Sequence, residues 1–151
     1  GFVLHAPGVA PPRPLQRLSL GIEPMLLVLP ETAPKRPSAA QLLSEPLVIF
    51  PRAIAPSLYD AVLAFYHRHG ATPVIAQEAI QMQTIVNLVS AGLGLALVPE
   101  SMRLLQRPGV AYRSLPATLA EGAPRCETSL LWRPDAPPAV LRFVAFVHGQ
   151  L

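Results

Sequence analysis

Few side chains in this sequence are spaced for chemistry. His67 and His69 fall two apart late in a predicted helix, where such residues point to different faces and do not chelate one metal together. His5 and His148 stand without a neighbouring carboxylate or thiol pattern, so no metal site is expected. Ser57, Ser90, Ser101 and Ser129 lie outside any Gly-x-Ser-x-Gly turn that would expose a nucleophile. The carboxylates are singletons, with no pair placed for acid–base work. Cys126 is alone, which excludes an intramolecular disulfide and favours a reduced compartment; a neutral, unreactive thiol is the expected state. Gly92-x-Gly94 follows a helix and precedes a strand, the reverse of a phosphate-cradling loop, and reads as a helix C-cap followed by a tight approach to the strand. No catalytic residue and no cofactor are therefore expected.

One segment has the makings of a binding site. Pro51-Arg52-Ala53-Ile54-Ala55-Pro56-Ser57-Leu58 joins the C-terminal end of a predicted strand to the N-terminus of a predicted helix. In open α/β sheets ligands bind at such places. Free N–H groups and the helix dipole favour a carboxylate or another anion there, Arg52 can add a bidentate partner, and Ser57 can add a hydroxyl. The same residues read equally well as a plain loop with an N-cap serine and a surface arginine.

The elements that would position this segment follow from apolar spacing. Leu47-Val48-Ile49-Phe50 is a short, wholly apolar run, as in a strand buried on both faces. Leu58, Val62, Phe65 and Tyr66 predict a helix over 57–69, with Ser57 and Asp60 as a capping pair and Gly70 as its stop. Val74–Ala76 starts a strand, Ile80–Ala91 a second helix, and Leu93–Val98 another buried strand. Residues 47–99 thus read strand–helix–strand–helix–strand, the pattern of parallel crossovers in a layered α/β lobe. Before them come the end of a strand at 1–4, a proline-rich connector, a long strand from Leu15 to Leu29, and a short helix capped by Ser38. After them come a short helix at 101–106, a strand at 110–113, a loop at 116–125, a strand at 128–132, and a terminal helix opened by Pro137-Pro138. That helix carries Val140, Leu141, Val144 and Val147 on its apolar positions.

Composition narrows the class. The chain has 151 residues, 51% of them hydrophobic, enough for a real core built from aliphatic side chains. Charged residues are 14%, too few for a disordered tail, and the 6% of aromatics argues against a stacking platform for single-stranded nucleic acid. Net charge is +3, but the arginines are scattered and form no phosphate-tracking stripe, so this chain is not itself expected to bind nucleic acid. Pro, Arg or Glu interrupts each apolar run before it reaches membrane-spanning length. The N-terminus lacks a starting Met and a basic leader and begins inside an apolar segment, as a chain cut from within a domain would.

The tract Pro46-Leu47-Val48-Ile49-Phe50-Pro51, then Gln77-Glu78-Ala79, then Thr84 to Pro99 with its Val-x-Ala-Gly-x-Gly-x-x-x-Val-Pro pattern, resembles the effector-binding domain of LysR-type transcriptional regulators. Gly1-Phe2 is similar to the end of that family's Asp-x-Gly-Phe strand, Glu23-Pro24 to Pro30 to its first strand in the second lobe, and Trp132-Arg133 to its late strand. The resemblance implies an α/β fold of two lobes like that of type 2 periplasmic solute-binding proteins. Residues 17–115 would form a complete second lobe, and 1–16 with 116–151 part of the first. The winged helix-turn-helix would lie outside this chain.

The resemblance also maps effector contacts onto Arg52, Ala53, Pro56, Ser57 and Leu58, although its aromatic-acid branch often has an aromatic residue at Leu58 and serines at Arg52-Ala53. It implies a small, anionic effector held between the lobes, a dimer or tetramer, DNA contact only through the N-terminal domain, and a cytoplasmic protein that binds no membrane. Self-association would leave apolar faces exposed here, the 57–69 helix among them. A periplasmic-type solute-binding protein of the same fold is the alternative, and an enzyme on that scaffold a third reading.

Overall fold

The computed structural model describes residues 1–151. Its organising element is β2 (Gln16–Pro30), a single strand of 15 residues that reaches about 50 Å when extended. Its first half is polar or half-exposed, whereas Met25 to Leu29 is buried without a break. The two halves serve different sheets. Gln16–Pro24 pairs antiparallel with β7 (Arg125–Trp132), which also pairs with β1 (Phe2–His5). Met25–Pro30 pairs antiparallel with β5 (Ala96–Pro99) and β6 (Val110–Arg113) on its two sides.

The expected strand–helix–strand–helix–strand order is present. β3 (Leu47–Ile49) leads through α2 (Pro56–Arg68) to β4 (Ile75–Glu78), and β3 and β4 are parallel. α3 (Met82–Ser90) then leads to β5. The Val48 N–H donates to the Leu95 carbonyl and the Leu95 N–H to the Pro46 carbonyl, which ties β3 to the segment entering β5. α1 (Ala39–Ser44) carries the expected Ser38 cap, with Gln41 completing a capping box. The core lies between this sheet and the helices: Leu58, Val62, Phe65 and Tyr66 of α2 and Ile85, Val86 and Val89 of α3 pack against β2, β3 and β5.

Four expectations are corrected. Ser57 is not the N-cap of α2; Ala55 is, without a side-chain bond, because Pro56 supplies a first-turn φ already set for the helix. Asp60 therefore caps nothing and turns outward to Arg52. β7 starts at Arg125 rather than Thr128, since Arg125–Glu127 continue the ladder along Ile22–Pro24. The apolar face of α2 is buried in the chain's own core and offers no exposed surface. Exposed apolar side chains sit instead on α4 (Pro138–His148), where Phe143 and Phe146 face outward and none of the residues is fully buried. No helix is long and apolar enough to cross a membrane.

Two predictions come from this packing. Gly94 has φ +151°, and a Cβ there would lie 2.1 Å from the Pro46 carbonyl oxygen. Gly94→Ala should therefore cost about 3 kcal/mol of stability by strain and overlap, read as a lower denaturant midpoint at an unchanged slope. Cys126 is wholly buried in β7, and its thiol is pushed up to about 12, first by burial and then by the nearby Glu23 and Glu127 carboxylates. A disulfide-exchange thiol reagent at mildly alkaline pH should leave the folded protein untouched and react fully once it is unfolded.

Candidate functional site

The loop after β3 is shaped before any ligand enters. The Ile54 N–H donates to the Pro51 carbonyl at 3.0 Å and closes a turn. Ala55 then leaves the loop with φ −147° and ψ 75°, and Pro56 opens α2. The first intrahelical donor is Tyr59, to the Ala55 carbonyl at 2.9 Å, so the N–H groups of Ser57 and Leu58 have no partner within the helix. This gives a helix start with open donors beside the C-terminal end of β3.

The five residues expected here separate into three groups. Leu58 is fully buried and forms the floor of a cavity of about 520 Å³, whose walls include Phe2, Leu4, Phe50, Met82 and Met102. Pro56 and Ser57 line a second cavity of about 280 Å³ beneath the proline-rich connector, together with His5, Arg17 and Leu131. Arg52 and Ala53 are exposed and line neither cavity. The guanidinium of Arg52 donates through Nε and Nη2 to the two carboxylate oxygens of Asp60, at 2.9 and 2.8 Å, and this bidentate bond holds the Asp60 carboxyl below its usual range. Its fork is thus occupied by α2, and its effect is to pin the loop to the first turns of the helix.

Ser57 bridges the two halves of the molecule. Its Oγ accepts the N–H of Ala6, just past β1, at 3.1 Å. The adjoining His5 donates through Nδ1 to the Ala6 carbonyl at 2.8 Å, which leaves Nε2 to accept the Ser129 hydroxyl at 2.8 Å in the neutral ring. Glu127 lies 3.9 Å from His5 Nδ1. The serine–histidine–glutamate succession has the composition of a hydrolytic triad, but its geometry serves structure. The Nδ1 proton goes to a backbone carbonyl, and Ser129 is completely buried within the sheet.

Sequence reasoning missed His5, Arg17, Met82 and Met102. His5 and Glu127 are 122 positions apart and meet only because β1 and β7 pair in that register. Arg17 shares a cavity with Ser57 only because the connector folds back over β2. The one available signal was the apolar face of the second helix, on which Met82 packs against the core and also lines the cavity.

The family described as LysR substrate binding domain matches residues 1–151. The HTH-type transcriptional regulator IlvR of Caulobacter vibrioides is 42% identical over 144 residues, 94% of this chain and 47% of its own length. A crystal structure of CbnR, a LysR family transcriptional regulator, aligns with a TM-score of 0.72 at 22% identity, over 97% of this chain and 51% of that one. The BenM effector binding domain, solved with its effector benzoate, aligns at 0.64 and 18% identity, over 98% of this chain and 68% of that one. These likenesses in structure show the fold, the two-lobed α/β architecture of type 2 periplasmic-binding proteins. The chain spans less than half the length of the curated relatives that it matches. Matched by the family over its whole length, this chain belongs to the LysR substrate-binding domain family.

Proposed function

We propose that this chain is the effector-sensing part of a bacterial LysR-type transcriptional regulator. A small anionic effector, a carboxylate or an aromatic acid, is held between two lobes and favours one lobe arrangement. That arrangement sets how subunits of a dimer or tetramer space their DNA readers. DNA is reached only through an N-terminal winged helix-turn-helix outside this chain, and the protein works in the cytoplasm without membrane contact.

The observation that carries this reading is the passage of β2 from the sheet it shares with β7 into the sheet it shares with β5 and β6, with the α2 start facing β1 across a cavity. Residues 17–115 make the second lobe, and 1–16 with 116–151 contribute to the first. Gln16–Pro24 stays hydrogen-bonded to β7, so the crossing point lies inside β2. Pro56, Ser57 and Leu58 form the second lobe's wall of the site, with Ala53 on the loop beside it and Arg52 holding that loop through Asp60. Catalysis forms no part of this role. The relatives are transcriptional regulators rather than solute-binding proteins or enzymes, and the buried Ser129–His5 pair has a structural use.

The test uses the full-length protein and its operator DNA. Aliphatic and aromatic carboxylates are screened by thermal shift, benzoate among them as the effector solved with BenM. Those that bind are then footprinted with the protein on DNA. Binding should raise the melting temperature and change the protected pattern. Ser57→Ala should remove the ligand-dependent change while leaving ligand-free DNA binding intact, at a stability cost of about 1 kcal/mol for the unpaired Ala6 N–H. A protein whose footprint is unmoved by every ligand that binds it would overturn the reading.

A further inference from the structure

The two cavities at the start of α2 are not independent. Val3, Leu4, Ile54 and Ala55 line both, so they are adjoining chambers with a common wall. Both are mainly apolar, and they differ in one respect. The larger is lined mostly by apolar side chains, and its only polar ones are Gln81, Gln83 and Ser101; no charged residue faces it. The smaller adds one charged residue to its lining, Arg17, beside His5 and Ser57.

Arg17 differs from the other arginines that fix structure. Arg52, Arg68 and Arg133 each pair with a carboxylate, and Arg113 donates to two carbonyls. Arg17 is half-buried, has no carboxylate within ion-pairing distance, and makes one bond, from Nη1 to the Val9 carbonyl. A guanidinium has five donors, and sheltering it without a counter-charge costs free energy that an anion would offset. Across the same chamber the Ser57 hydroxyl has accepted the Ala6 N–H but not donated its own proton. His5 is no rival anchor, because both of its ring nitrogens are engaged.

We propose that the two chambers are the ends of one cleft for an amphipathic monocarboxylate, its carboxylate against Arg17 and Ser57 and its apolar body along Leu58, Met82 and Met102. This rests on the effector-sensing reading above and specifies its ligand. No cation of this chain lines the far end, so a second carboxylate there would meet only apolar and uncharged polar groups and a monoacid is preferred over a diacid. The two methionines are flexible enough to accept apolar bodies of different shape, so the cleft selects a class of acids.

The test is calorimetric titration of the full-length protein with butanoate, hexanoate, octanoate, octanamide and octanedioate. Affinity should rise about fourfold per methylene from butanoate to octanoate and be lost for the amide and reduced for the diacid. Arg17→Gln should weaken octanoate about ten- to a hundredfold with an unchanged circular dichroism spectrum, and Arg17→Lys should restore part of that loss. Arg13→Gln removes the same charge from the preceding connector, outside the cavity, and should have no effect. Met102→Gln should flatten the dependence on chain length. Equal binding of octanoate and octanamide, equal affinities in the Arg17→Gln and Arg13→Gln proteins, or no binding by any of the acids would overturn the cleft. A protein that ignores these acids yet changes its operator footprint with another ligand would lose the cleft and keep the regulatory reading. One that binds octanoate through Arg17 but never occupies operator DNA would keep the cleft and lose that reading.

Discussion

Everything in this molecule depends on one strand belonging to two sheets. β2 is hydrogen-bonded to β7 along its first half and to β5 and β6 along its second, so neither sheet is complete without it. The sequence of β2 divides where the pairing divides. Its buried run starts at Met25, directly after Glu23-Pro24, and before that point the strand is half-exposed with a register shift between Ser19 and Gly21. A bulge of this kind lets a strand twist between two directions without ending. Proline at position 24 has no N–H to give, which suits the place where one ladder stops and the next begins. The Met25 N–H goes to the Pro124 carbonyl instead, so the returning chain is tied to the same crossing.

That constraint decides where a ligand can act. The crossing of β2 fixes the first sheet beside the second, which brings the end of β1 against the first turn of α2. The contact is polar and small: the Ala6 N–H on Ser57 Oγ, backed by His5 on Ser129. His5 and Ser57 line the smaller cavity, so in the proposed role groups that hold the two halves together are also those a bound molecule would touch. A packed apolar interface at this point would resist rearrangement far more strongly, because buried apolar contacts exchange only as a set. A few hydrogen bonds beside open space can be exchanged for bonds to a ligand at little net cost.

Local pattern made most of this fold legible, and long-range pairing hid most of the site. Leu47–Phe50, the 3.6-residue spacing of Leu58, Val62, Phe65 and Tyr66, and the proline and glycine stops are local, so their elements could be read directly. The start of β7 was missed because Arg125–Glu127 has no apolar alternation; it is a strand only by pairing with Ile22–Pro24. Ser57 and Asp60 fit a capping pattern, yet Pro56 already supplied the helix start and both side chains found distant or lateral partners. α4 shows the converse: an amphipathic pattern read correctly as a helix, whose apolar face is only partly covered.

The two arginines of the site show why position in sequence is a poor guide to electrostatic role. Arg52 lies on the loop where an anion-binding charge would be sought, and its forked geometry suits a carboxylate. The structure gives it one already, Asp60, about one helical turn into α2, and the pair is exposed to water on both sides, where it contributes little to stability but fixes the loop's direction. Arg17 lies 35 positions earlier, in a strand, with nothing in its neighbourhood to mark it. It differs by what it lacks: half-buried, it has no carboxylate within ion-pairing distance. In the proposed cleft the electrostatic demand is therefore set by the unmatched cation rather than by the cation at the expected place, and the fold joins that cation to the α2 start only through the crossing of β2.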